Sequence, residues 1–275
     1  MRRLVHSEWI RLWRHRIFLL MLAALPVAAY AAAGYMRKAN AGTDPALPQY
    51  AVAGNFSVLG FEEMLLTVFN LAMIVLAAYV VTDEYRSGAL RMVMQRAYTF
   101  GQIIAAKALT LAAAAAVLCL WYLLWSTLFG YLLLPHADAF ALFYREGTVH
   151  YGKGLLYALQ FYGIGLLTLL AMTAVLLFFA VISRSVTAAM GLGIGFLLLS
   201  LLGPQLLSYF AAVIDQTLFF RLYFASLPMI QWQGIVFLLA DSPRYAGWMC
   251  TVLAGYLLLF GTGAYLVFTK RDRWI

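Results

Sequence analysis

The sequence predicts an all-α membrane protein with six transmembrane helices, an N-terminal interfacial helix and an outer re-entrant hairpin between spans five and six. Three observations predict this. The chain is 65% hydrophobic and 11% charged, with a mean hydropathy of +0.86, whereas soluble domains carry about 25% charged residues. A water-soluble fold of this size leaves much of its surface exposed and could not hide so much apolar area. Six apolar runs reach the roughly 20 helical residues that a hydrocarbon core about 30 Å thick requires. Finally, the 19 Lys and Arg residues sit in short clusters between those runs rather than along one face.

The elements follow in chain order. Residues 1–16 read as a helix lying in the interface. Val5, Trp9, Leu12 and Trp13 share one helical face, while Arg3, Ser7, Arg11 and Arg14 share another, and tryptophan favours headgroup depth. The spans are Ile17–Met36, Met64–Thr82, Ile103–Leu134, Leu155–Ile182, Ala188–Ala212 and Gly247–Thr269. The third exceeds a bilayer and is expected to tilt or project. The stretch 217–240 is apolar but carries Arg221, Gln231 and Gln233, and Pro228 divides it into two pieces. Each piece is about 15 Å long by helical rise, too short to cross. A mid-bilayer arginine would add roughly 2.5–3.5 kcal/mol. The stretch therefore reads as a shallow re-entrant hairpin. The polar stretches Arg37–Ser57 and Pro135–Lys153 are too short for independent domains, so residues 1–275 form a single membrane domain.

Orientation follows from the basic residues. With both termini cytoplasmic, the inner side receives thirteen Lys and Arg and the outer side six, the bias that places basic loops inside. The expected location is the cell (inner or plasma) membrane. A net charge of +8 then reads as topology signalling and contact with anionic lipid, not as a nucleic-acid surface.

Candidate chemistry is sparse. No G-x-x-x-x-G-K-[ST] occurs, so the chain has no P-loop of its own. Gly191, Gly193 and Gly195 lie inside the fifth span and follow no strand, which points to close helix packing. His6, His15, His136 and His150 fall outside the spans and form no metal-ligand pair. Cys119 and Cys250 lie in apolar runs with no C-x-x-C, and read as small buried residues. Glu62-Glu63 lacks further His or Glu partners within the membrane and reads as a structural or boundary pair. The span cores hold Asn70 and scattered Ser and Thr but no mid-span carboxylate. Lys107 lies near an inner end, where it can snorkel. An ion gradient thus has no obvious receptor here. No catalytic residue, metal site or cofactor of the chain's own is expected.

The informative segment joins spans two and three. It runs Thr82-Asp83-Glu84-Tyr85-Arg86-Ser87-Gly88-Ala89-Leu90-Arg91-Met92-Val93-Met94-Gln95-Arg96-Ala97-Tyr98-Thr99-Phe100-Gly101-Gln102 and on to Lys107. Arg86, Leu90, Val93/Met94 and Ala97 recur at helical spacing. Glu84 stands near the start, where an anion favours the helix dipole. A short helix tied rigidly to two spans could transmit force from a moving partner.

This segment resembles the E-Y-x-x-G-T-[LI] … [PG]-[VI]-S-R … K loop of type-2 ABC exporter permeases. The matching residues are Glu84-Tyr85-Arg86-Ser87-Gly88-Ala89-Leu90-Arg91, then Tyr98-Thr99, then Lys107. Ala89 stands for the usual Thr, Ala97 for Pro or Gly, Thr99 for Ser and Phe100 for Arg. The resemblance extends to the basic entry helix Glu8-Trp9-Ile10-Arg11-Leu12, to Ile182-Ser183-Arg184-Ser185, to the outer hairpin before span six and to Lys270-Arg271-Asp272.

The resemblance implies the membrane subunit of an ATP-driven exporter. Two permease subunits, identical or homologous, would pair and bind two cytoplasmic ABC ATPases, which would hold the ATP and Mg. The loop Glu84–Arg96 would be the coupling helix. Glu84, Tyr85, Arg86, Gly88, Leu90, Arg91 and Arg96 would contact the ATPase, and Ser183, Arg184 and Ser185 would form a second, smaller contact. The substrate path would run at the dimer interface. The apolar, aromatic spans suit an amphiphilic cargo such as a peptide antibiotic, a lipid-like molecule or a drug. Two other classes stay open. One is an ATP-independent secondary carrier or membrane enzyme. The other is a non-transporting immunity or sensor subunit that sequesters a peptide.

Overall fold

A computed structural model describes residues 1–87, 98–183 and 185–270, the side chains of residues 83–87 excepted. Helix α1 (Arg2–Arg14) packs beside the start of α2 (Arg16–Ala39). The second long helical segment is built from α3 (Phe56–Met64), a π-turn (Leu65–Phe69) and α4 (Asn70–Ser87). Then come α5 (Phe100–Leu133), a small antiparallel hairpin of β1 (Ala139–Ala141) and β2 (Thr148–His150), α6 (Tyr151–Ile182) and α7 (Val186–Ser208). Helix α8 (Gln216–Tyr223) precedes a broken helix of α9 (Leu227–Met229), a second π-turn (Ile230–Gly234) and α10 (Ile235–Leu238). Helix α11 (Ala246–Lys270) is the last.

Among the described residues, six helical segments are long and apolar enough to cross a membrane: Arg16–Gly42, Phe56–Thr82, Phe100–Leu133, Tyr151–Ile182, Val186–Ser208 and Ala246–Lys270. The piece Leu227–Leu238 is apolar but shorter. The terminal face of the bundle holds α1, the end of α4, the start of α5, the end of α6, the start of α7 and the end of α11. The opposite face holds the β-hairpin and α8–α10. At 34 residues, α5 extends about 51 Å, well beyond a hydrocarbon core.

Helix α6 is the centre of the bundle and packs against α3, α4, α5, α7 and α11. Small residues set how close it comes. A methyl on Gly165 would lie 2.5 Å from Phe61 Cε1. Phe61 cannot yield easily, because it is fully buried and stacked on Tyr162 at 3.9 Å. Tyr162 in turn donates to the Ser57 carbonyl at 3.1 Å and meets Ser126 Oγ at 3.2 Å. Tyr122 donates to the Gly60 carbonyl at 3.1 Å. These aromatics thus bury large apolar bodies while satisfying their hydroxyls, which in a low-dielectric interior is the condition for burial.

Helices α7 and α11 are peripheral. Gly191, Gly195 and Gly203 on α7, and Gly255 and Gly261 on α11, face open space. Of the α7 glycines, Gly193 is the one that packs within the chain: a methyl there would meet Leu176 and Ile74 at 3.0–3.1 Å. Close packing, the reading given to the whole glycine run, therefore holds inside the subunit at this position.

Two differences from the expected pattern matter. The second long segment begins at Phe56 rather than Met64, so Glu62 and Glu63 lie within its helix rather than just ahead of it. Glu62 is half-buried and Glu63 exposed. The buried face of α1 is Leu4, Glu8 and Leu12, with Trp9 flanking it and Trp13 exposed. A carboxylate therefore sits in the middle of the face that docks.

Candidate functional site

The described polar structure at the terminal face centres on Lys107, about two turns into α5. Its side chain is fully buried. Nζ donates to the Val80 carbonyl of α4 at 2.7 Å and to Glu8 Oε2 of α1 at 3.4 Å. The same Glu8 oxygen pairs with Arg11 at 2.7 Å, and Arg11 also reaches the Val80 carbonyl at 3.5 Å. Glu8 is buried, whereas Arg11 is partly exposed. One ammonium thus ties together three elements: the entry helix and the helices on either side of the 88–97 segment.

Local sequence explains the placement. In α1, Leu4, Glu8 and Leu12 recur at i, i+4 and therefore share one face. Helix α5 starts at Thr99 with a complete capping box. Thr99 Oγ1 accepts from Gln102 N at 3.3 Å, and Gln102 Oε1 accepts from Thr99 N at 3.2 Å. This fixes the first turn of α5 and with it the direction in which Lys107 projects. Buried charge is tolerated only when paired and hydrogen-bonded, and each of these groups has such partners. Snorkelling, the expected behaviour of Lys107, does not occur, because Glu8 and the Val80 carbonyl are closer than solvent.

The end of α6 and the start of α7 are also hydrogen-bonded at this face. Ser183 Oγ donates to the Phe179 carbonyl at 2.7 Å. Ser185 caps α7, its Oγ accepting from Ala188 N at 3.1 Å. Thr82 of α4 donates to the Ala180 carbonyl of α6 at 3.4 Å. The ends of α4 and α6 are therefore bonded to each other beside the Lys107 cluster.

Of the site residues expected from sequence, Glu84, Tyr85 and Arg86 lie on the helical backbone of α4. Gly88, Leu90, Arg91, Arg96 and Arg184 lie outside the described residues. Ser183 and Ser185 are the turn residues just described. Glu8 as the buried partner of Lys107 was not foreseen. Its signal was a carboxylate occupying the i+4 position between two leucines.

A second polar pair crosses the bundle toward the opposite face. Asn70 donates from Nδ2 to Gln231 Oε1 at 2.6 Å, and Gln231 Nε2 returns a bond to Asn70 Oδ1 at 3.2 Å. Both side chains are fully buried. Asn70 directly follows the first π-turn and Gln231 lies within the second. The two irregular turns meet through this pair, a placement typical of π-turns that locate a specific contact. Replacing Gln231 by leucine strands a buried amide. It is expected to destabilise the protein by about 1–3 kcal/mol, while Asn70→Leu/Gln231→Leu together recovers most of that loss. Melting curves of the three variants in detergent check this. A single variant as stable as the wild type would show that the pair contributes nothing.

Among the described residues, no group of three or more His, Cys, Asp or Glu side chains could hold a metal ion. The arrangement can lock three helices together or, if the pairs exchange partners, let them move as a unit.

A mostly helical chain whose described residues include six helices long and apolar enough to cross a membrane is a multi-pass membrane protein. The chain belongs to the protein family of unknown function DUF2705, whose model matches residues 17–273. No curated protein matches the sequence.

Proposed function

We propose that this chain is the permease subunit of an ATP-driven ABC exporter, forming the substrate path and coupling to a separate cytoplasmic ATPase. The observation that carries the reading is the run Glu84–Arg91 with Tyr98-Thr99 and Lys107, and its resemblance to the loop of type-2 exporter permeases. In this reading the terminal face is cytoplasmic, α1 lies in the interface, and α8–α10 form the outer re-entrant hairpin. Two ATPase subunits hold ATP and Mg, and a second permease subunit, identical or homologous, completes the path in the cell membrane. The cargo is amphiphilic. ATP binding draws the two ATPases together, and the Glu84–Arg96 segment carries the motion into α4 and α5. The Lys107 cluster supports this, because a displacement of either helix end must drag the other and α1 with it.

One observation favours a second reading, an ATP-independent carrier. Glu62 and Glu63 stand on a membrane-length helix, where carboxylates are costly and often functional. They lie only about 9 Å from the Phe56 end by helical rise, however, nearer an interface than the midplane where coupling carboxylates usually sit.

Isolation of the tagged chain from its native membranes in mild detergent separates the two. A P-loop ATPase co-isolates in the first reading, and the complex hydrolyses ATP. If no such ATPase accompanies the chain, and vesicles holding the chain alone transport a solute on a proton or sodium gradient, the carrier reading replaces it.

A further inference from the structure

We propose that the terminal face carries a binding site for one anionic phospholipid, its headgroup on Arg2, Arg3 and His6 of α1 and an acyl chain in a groove between α5, α6 and α11. The inference needs only that the bundle is embedded in a bilayer and does not depend on the transport reading.

Two hollows meet at Leu109. The first, about 350 Å³, is an apolar groove whose walls are Ile104, Ala108 and Ala112 of α5, Leu170 and Ala174 of α6, and Leu257 and Gly261 of α11. From Ile104 to Ala112 it follows α5 for about 12 Å along the helix axis. Its few polar groups leave the interior dry. Thr173 Oγ1 is already bonded to the Leu169 carbonyl at 2.7 Å. The Tyr265 hydroxyl sits at the terminal end, beside Gly101, where a methyl would approach it to 2.7 Å. A groove that is apolar along its length and polar only at the membrane-surface end has the polarity of a lipid, not of a soluble ligand.

The second hollow, about 630 Å³, is lined by Arg2, Arg3, Val5, His6, Trp9 and the same Leu109. Its charge is uncompensated from within α1. The helix has a single acidic residue, Glu8, and that carboxylate is turned inward to Arg11 and Lys107. Among the described residues, neither Arg2 nor Arg3 forms an ion pair. Arginine forks favour phosphate oxygens, and a tryptophan beside them suits headgroup depth. The burial of Glu8 therefore does two things: it docks α1, and it leaves at the mouth of an apolar groove a positive rim that no described carboxylate opposes. An anionic phospholipid complements both parts, whereas a zwitterionic one matches only the groove.

The test is native mass spectrometry of the purified full chain with equal amounts of phosphatidylglycerol and phosphatidylcholine of the same chain length. The wild type should retain phosphatidylglycerol preferentially. Arg2→Gln/Arg3→Gln should lower phosphatidylglycerol affinity by about 30-fold, two basic side chains each acting as they do at an anionic surface, and leave phosphatidylcholine unchanged. Gly261→Leu fills the groove from a position whose Cβ meets open space, so the fold should survive. It should weaken both lipids, and inorganic phosphate should not displace either from the wild type. Equal retention of the two lipids by the wild type overturns the proposal. So does a preference that survives Arg2→Gln/Arg3→Gln, or Gly261→Leu binding both lipids as the wild type does.

Discussion

Replacing Lys107 by methionine is expected to destabilise the protein by about 3 kcal/mol, at the lower end of the range for breaking a buried ion pair. The lower end applies because Arg11 still pairs with Glu8 at 2.7 Å after the ammonium is gone. What is lost is the bond to the Val80 carbonyl and the partial neutralisation of a carboxylate held away from water. The reverse variant, Glu8→Leu, takes the Glu8 carboxylate from beside the buried Lys107 ammonium and should cost at least as much. The double variant Glu8→Leu/Lys107→Met removes both desolvation penalties at once. It should recover most of the stability, since apolar replacement of a whole buried pair is often neutral or favourable. Thermal unfolding of the four proteins in one detergent measures the coupling as a double-mutant cycle. Strict additivity of the two single effects would mean that the pair at 3.4 Å is a proximity without energetic consequence. The cluster would then no longer be a joint.

The membrane helices were legible because their cause is local. An uninterrupted apolar run of the right length has one stable home, and each of the six runs became a helix. That 217–240 is divided was legible for the same reason, although the break falls at Phe224–Ser226, just ahead of Pro228 rather than at it. Proline lacks the N–H that a helix interior needs, and it sits in the first turn of α9. The start of the second long segment was not. Phe56–Met64 contains Glu62 and Glu63, and a carboxylate pair beside a polar stretch reads as the boundary of a span until packing is known. Here Phe61 is clamped between Tyr162 and Phe69, and that tertiary contact extends the helix past the charges. Long-range pairing was equally hidden. Glu8 and Lys107 are 99 residues apart and Asn70 and Gln231 are 161 apart. Each residue was visible as unusual in its segment, but no single-sequence pattern says which partner satisfies it. The assignment of Glu84, Gly88 and Arg91 to a proposed coupling contact rests on motif resemblance, because a partner's groove leaves no trace in one chain's own burial pattern.

Gly88→Trp carries the largest functional effect expected of any substitution in the proposed ATPase contact. Gly88 immediately follows Ser87, the last described residue of α4. In the proposed complex, the absence of a side chain there lets the ATPase surface approach the backbone closely. An indole would hold the two surfaces apart and cost the contact its packing, a loss that for a central interface position reaches about 2 kcal/mol or more. A tenfold loss corresponds to about 1.4 kcal/mol. ATP-dependent transport should therefore fall by more than tenfold. Membrane insertion and the melting temperature of the isolated chain should stay at wild-type levels, because in this reading the position serves the partner's surface rather than the packing of the subunit. Gly88→Ala, a far smaller intrusion, should fall between the two. Transport by Gly88→Trp at the wild-type rate, with the ATPase still co-isolating, would remove the Glu84–Arg96 segment as the coupling element. Equal losses of transport and of protein in the membrane would instead place Gly88 in the fold of the subunit rather than at its partner's surface.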